Sequence, residues 1–149
     1  MIDKYKQAFQ EEAQEILGEL ESTLLELNEK REDTELVGRA FRALHTIKGS
    51  GAMFGFDDIS AFTHHIENAF DLVRNGRIVA SSNLISLSLG AVDQIKSMLA
   101  AASGNAATDP AAAALILAKL RDLTGKPAGA TAEKSAPAEG GSRDSGNAR

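Results

Sequence analysis

Phe9, Ala13, Ile16, Leu20, Leu24 and Leu27 recur at spacings of three and four, which draws one apolar stripe along a helix of 3.6 residues per turn. The stripe predicts a helix over about Ile2 to Asn28, with Glu and Lys on its other side. The ten carboxylates between Glu11 and Glu35 read as the solvated face of that helix rather than a cation site. A second helix is announced by Asp33 or Thr34 as a cap and carries Val37, Ala40, Phe41, Leu44 and Ile47 inward. Gly49, Gly51 and Gly55 are expected to weaken it and then end it. Asp57 and Asp58 are expected to cap a third helix, with Ile59, Phe62, Ile66, Phe70 and Val73 inward and a stop at Asn75-Gly76. Between Leu84 and Leu89 the alternation with serine is strand-like, yet Ile85, Leu89, Val92 and Leu99 keep helical spacing, which predicts a helix from about Ser82 to Ala102. Thr108-Asp109-Pro110 is a cap followed by proline at the first helical turn, and Leu117, Leu120 and Leu123 complete a short fifth helix. Four amphipathic helices joined by short loops bury their stripes most simply in an all-α antiparallel four-helix bundle, with the additional C-terminal fifth helix across one end or side. Nothing reads as a sheet with crossover helices, which argues against nucleotide-binding α/β folds.

Composition narrows the function. The chain of 149 residues has no cysteine, which excludes disulfide scaffolds, thiolate metal sites and cysteine nucleophiles. No run of 18 apolar residues is present, so no membrane-spanning helix is expected. The opening MIDKYKQAFQEEAQEIL is too charged for a secretory signal, and a cytoplasmic setting is the expectation. Sixteen basic against 21 acidic residues give a net charge of −5, poor for gripping a phosphate backbone. With no Trp and one Tyr, stacking platforms for bases are scarce as well. Neither nucleic acid nor a membrane is an expected partner, and the domain is expected to be monomeric. From Gly125 to Arg149 there is no Leu, Ile, Val, Phe, Met, Tyr or Trp, so residues 125–149 are expected to be a disordered linker or tail after a bundle domain at 1–124. Such a linker is expected in a fragment of a larger protein or in a domain with a tether.

The chemistry-bearing residues gather on the second and third helices. His45 follows Phe41 by four positions and so lies roughly 40° round from it, at the border of the stripe, where a side chain is held from below and still meets solvent. Lys48, three positions on, reaches the same patch of surface, though it falls nearer the apolar arc and must snorkel or exploit a local bend to show its ammonium. Gly49 stands one turn along from the imidazole. A glycine in mid-helix costs up to about 1 kcal/mol relative to alanine. One reason to carry it is clearance for a bulky partner; the other is early fraying into a Gly-rich turn. On the third helix His64 and Glu67 are neighbours, three apart, and consecutive helices pack together, which brings Glu67 toward His45. A carboxylate bound to one ring nitrogen fixes the tautomer and leaves the other unprotonated and nucleophilic. Histidine has an ordinary pKa of about 6.5 and is mostly neutral at pH 7, as a nucleophile must be.

The segment HTIKGSGAMFGF, residues 45 to 56, resembles the His-x-Leu-Lys-Gly-five residues-Gly signature of histidine phosphotransfer (HPt) domains. FRALHTIKG before it and THHIENAFDLVRNG after it are similar to the N-terminal phosphotransfer domain of CheA-type chemotaxis histidine kinases. The resemblance covers roughly Ile2 to Leu123, with Ile47 where the family often has Leu. It implies that His45 accepts a phosphoryl group through Nε2, that Lys48 assists the kinase reaction or stabilises phosphoryl charge, and that Gly49 provides clearance. It further implies that Glu67 holds Nδ1–H and that His64 completes the hydrogen-bond network; His65 matches no role. A CheA-type kinase ATP-binding domain would phosphorylate His45, and a response regulator of the CheY or CheB type would receive the group on an aspartate. No P-loop and no carboxylate cluster for Mg²⁺ is present, so no cofactor is expected on this domain; ATP and Mg²⁺ belong to the partner kinase domain and Mg²⁺ to the regulator. The isolated chain would then be a substrate and carrier rather than a complete enzyme.

Four other readings compete: a stand-alone phosphorelay HPt protein, a non-catalytic helical adaptor, a regulator-inhibiting HPt-like dimerisation module, and a metal-binding bundle. Di-iron bundles need Glu-x-x-His on two helices, whereas here His-x-x-Glu occurs on one. Arg74 and Arg77 are expected on the surface without a role.

Overall fold

The computed structural model describes residues 4–102, 104 and 109–125. Among them are five helices and no strand: α1 (Lys4–Glu29), α2 (Thr34–Met53), α3 (Asp57–Arg74), α4 (Ser82–Ala102) and α5 (Pro110–Thr124). The fold is all-α. Helices α1 to α4 close a ring in which α2 packs on α1 and α3, and α4 on α3 and α1; α5 lies against α3 and α4. The ring is antiparallel: Gln10, near the start of α1, donates to the carbonyl of Leu99 near the end of α4 at 3.1 Å. The expected tail lies outside the described residues apart from Gly125, which ends α5 in the left-handed conformation with φ 76°.

Several helix ends have a clear chemical cause. The Asp33 side chain accepts from the amides of Glu35 and Leu36 at 3.0 and 3.2 Å, using donors that a helix start leaves unpaired. At the other end of α2, Gly55 takes φ 85°. Its amide donates to Ala52 and the Phe56 amide to Gly51, the paired closure that a left-handed residue permits. Gly76, at φ 73°, closes α3 by the same pair of bonds, to Val73 and Leu72. Asp109 caps α5 through the Ala111 amide at 3.0 Å, with Pro110 in the first turn.

Several expectations are corrected. Gly49 and Gly51 do not fray α2; the helix runs through both to Met53. Asp57 and Asp58 do not cap α3. The cap position is Phe56, which makes no side-chain bond, and the two aspartates stand in the first turn, where they complement the positive end of the helix dipole. In α1 Leu17 is fully buried where the stripe placed Ile16, which is only half-buried, because the buried arc faces both α2 and α4. In α4, Leu89 is half-buried and Ser88 is buried instead; its hydroxyl donates to the Leu84 carbonyl at 2.7 Å, so no polar atom is left wanting. Helix α4 is also long and apolar enough to cross a bilayer by length and composition, which a search for unbroken apolar runs misses. Its Leu84, Ile85, Ala91, Val92, Ile95 and Leu99 are core residues of the bundle.

Those residues, with Leu17, Leu20, Leu24, Leu27, Leu44, Ile47, Ile66 and Phe70, make one continuous core. Burying a Leu, Ile or Phe side chain contributes about 1.5–3 kcal/mol. The core beneath α2 and α3 therefore holds the backbone under the candidate site in place.

Candidate functional site

The site is built on the α2–α3 seam. The Ser60 hydroxyl donates to the Lys48 carbonyl at 2.9 Å. Nearby, a Cβ on buried Gly51 would stand 3.5 Å from the Phe56 carbonyl and 3.7 Å from the Ser60 Cβ. These contacts set the two helices close together and in register, so that residue 45 on one faces residue 67 on the other.

The Glu67 carboxylate is the centre of the arrangement. Its side chain is buried, at 6% exposure, and each oxygen has a partner. Oε2 meets His45 Nδ1 at 2.6 Å and Oε1 meets Lys48 Nζ at 2.8 Å. Burial on its own raises the pKa of Glu67. The hydrogen bonds from Lys48 and His45, together with their charges, outweigh that and hold the carboxyl below its ordinary 4.5. Glu67 is therefore an anion above that value, and an anion can only accept. The proton shared with His45 sits on Nδ1, which makes Nε2 the unprotonated nitrogen when the ring is neutral.

His45 itself is 63% exposed in its side chain: one nitrogen is anchored to a buried carboxylate while the rest of the ring faces solvent. Lys48, at 26% exposure, lies along the seam, and its ammonium turns onto the buried Glu67 carboxylate rather than snorkelling out to solvent. A Cβ on Gly49 would meet nothing within 4 Å. Packing inside the chain therefore does not explain why this helical position is glycine.

His64 is less tightly bound than a network member would be. Its Nδ1 is 3.5 Å from Glu67 Oε1, too long for a firm hydrogen bond, and its Nε2 is 3.3 Å from Asn68 Nδ2. His65 is exposed, its ring edge-on to His64 at 6.2 Å. The sequence reading brought His45, Lys48 and Glu67 together correctly in space. It missed Ser60, whose bond to a carbonyl on another helix leaves no mark in spacing, and Asn68, a neighbour of His64 at four positions. It also missed Arg74, whose guanidinium lies over the Phe41 ring at 4.3 Å.

Fold and site together define a helical bundle that presents one anchored, solvent-facing histidine. The family of such bundles is the Hpt domain, whose model matches residues 4–105, and the chain belongs to that family. It is 34% identical over 136 residues to the chemotaxis protein CheA of Rhizobium meliloti (strain 1021), which takes in 91% of this chain and 18% of the relative. It is 38% identical over 92 residues to the CheA of Borreliella burgdorferi, with 62% of this chain and 11% of that protein covered. The chain thus spans less than a fifth of the length of these relatives. Among solved structures, the CheA phosphotransferase domain from Thermotoga maritima superposes with a TM-score of 0.65 at 39% identity, covering 67% of this chain and 95% of that one. A solution structure of the histidine phosphotransfer domain of CheA gives a TM-score of 0.73 at 33% identity, covering 82% and 92%.

Proposed function

We propose that this domain is a phosphoryl carrier in a two-component chemotaxis pathway, with His45 as the residue that holds the phosphoryl group. The observation that carries the reading is the pairing of a 2.6 Å bond from His45 Nδ1 to Glu67 with 63% exposure of the same ring. The lone pair of Nε2 bonds to the γ-phosphorus of ATP held by a CheA-type kinase domain. The bond from phosphorus to the bridging oxygen breaks, and ADP leaves with those electrons. The ring keeps its Nδ1 proton and gains positive charge, which the Glu67 carboxylate stabilises across the hydrogen bond. In the second transfer an aspartate oxygen of a CheY- or CheB-type response regulator attacks the phosphorus. The nitrogen–phosphorus bond breaks and the imidazole returns to neutrality. Both steps depend on positioning and electrostatics, and the partners supply nucleotide and Mg²⁺ in the compartment they share, the cytoplasm.

Lys48 acts first on Glu67, keeping it ionised, and its remaining ammonium protons face the patch where phosphoryl oxygens arrive. Gly49 leaves the flank of the imidazole open to a partner. His64 stands beside Glu67 without a firm bond to it, and Asn68 contacts His64 Nε2 rather than the carboxylate. The test is incubation with a CheA kinase domain and labelled ATP. Wild type should take up acid-labile, alkali-stable label and His45→Gln none; label persisting in His45→Gln would reject the assignment.

A further inference from the structure

We propose that Phe41 and Arg74 are positioning residues for His45, a pair that fixes the plane in which the imidazole meets its phosphoryl donor. This rests on His45 being the phosphoryl acceptor. A ring with 63% exposure is not held by core packing, and beyond its covalent tether one hydrogen bond at Nδ1 is the contact that restrains its plane from α3. Phe41, one helical turn before His45, lies nearly parallel to it: the ring centroids are 6.2 Å apart and the planes differ by 15°. That is within the range of offset aromatic contact, and it gives the ring a flat stop.

Phe41 needs its own restraint, since it is only half-buried at the edge of the core. Arg74 supplies it from the last turn of α3. Its guanidinium carbon stands 4.3 Å from the Phe41 ring centroid, where the negative face of the ring attracts a cation. Asp71 Oδ1, one turn earlier, lies 3.5 Å from the guanidinium, a long and exposed contact that adds little restraint. The imidazole is thereby referenced to α3 twice, through Glu67 at its nitrogen and through Arg74 and Phe41 at its face. An in-line transfer is sensitive to this, because misplacement by about 1 Å can cost on the order of 10²-fold in rate.

The experiment measures kinase-dependent phosphorylation of the full chain, with kcat and KM for the domain as substrate, in Phe41→Leu, Phe41→Tyr, Arg74→Met and the Phe41→Leu/Arg74→Met double variant. Phe41→Leu keeps an apolar side chain but no flat ring, and should lower kcat about tenfold with KM little changed. Phe41→Tyr should restore it. Arg74→Met alters an exposed side chain and so keeps a readout even where Phe41→Leu fails to fold. It should lower kcat about threefold alone, and add nothing in the Phe41→Leu background, as coupled residues do. Wild-type kcat in Phe41→Leu, a loss confined to KM, or full additivity of the two substitutions would overturn the proposal. Absence of label on His45 in the wild type would instead overturn the acceptor assignment on which it rests.

Discussion

At Gly49 stability and function should part company. A Cβ there meets nothing within 4 Å, and the helix continues through the position. Gly49→Ala should therefore stabilise the domain, by up to about 1 kcal/mol in urea denaturation, while slowing phosphotransfer from the kinase. If the substitution leaves transfer untouched, the glycine serves no partner. Glu67 carries the second prediction at this scale. Its pKa is lowered on folding, so between the folded value and the ordinary 4.5 the unfolded chain binds more protons, and stability rises with pH there. The stabilisation is complete above the unfolded value and is lost as pH falls through the folded one. Acid denaturation of Glu67→Gln should lack this part of the slope; a curve parallel to wild type would mean the carboxylate is not held by its partners. The contact of His45 with Glu67 was legible because consecutive helices of a bundle lie side by side and both residues flank their stripes. The contact of Arg74 with Phe41 was not, since it depends on how a long exposed side chain folds back across a seam, and periodicity says nothing of that.

On the helices, the apolar spacing located all five elements, and the structure decides the cap of α2 for Asp33 over Thr34 and that of α5 for Asp109. The errors in the buried stripes have one origin. Spacing gives the direction of a stripe, whereas the arc that is buried depends on where the neighbouring helices sit, which decided Leu17 over Ile16 and Ser88 over Leu89. Helix α3 holds a residue that spacing could not flag. Thr63 is fully buried, and its Oγ1 has no hydrogen-bond partner. An unsatisfied buried hydroxyl costs about 1–3 kcal/mol, and replacing it by an apolar group of the same shape recovers part of that. Thr63→Val should raise the denaturation midpoint, by about 1 kcal/mol of stability, without changing phosphotransfer. A destabilised variant would show that the hydroxyl is bonded in solution.

Across the molecule, the bundle and the fifth helix contribute unequally. Helix α5 has one buried residue, Leu120, and the family match ends at residue 105, before it begins. A chain ending at residue 105 should fold and keep its α2–α3 seam, with stability reduced by about 2–4 kcal/mol, the burial of one leucine and a few half-buried neighbours. Circular dichroism with urea titration checks this, and collapse to an unfolded chain would make α5 part of the core. The site occupies one seam of four, while the remaining seams hold that seam still. The account as a whole is tested most directly by ¹⁵N- and ³¹P-resolved NMR of the phosphorylated chain. It predicts phosphorus bonded to Nε2 of His45, with Nδ1 still carrying its proton toward Glu67; phosphorus on Nδ1, or on a different side chain, would contradict it.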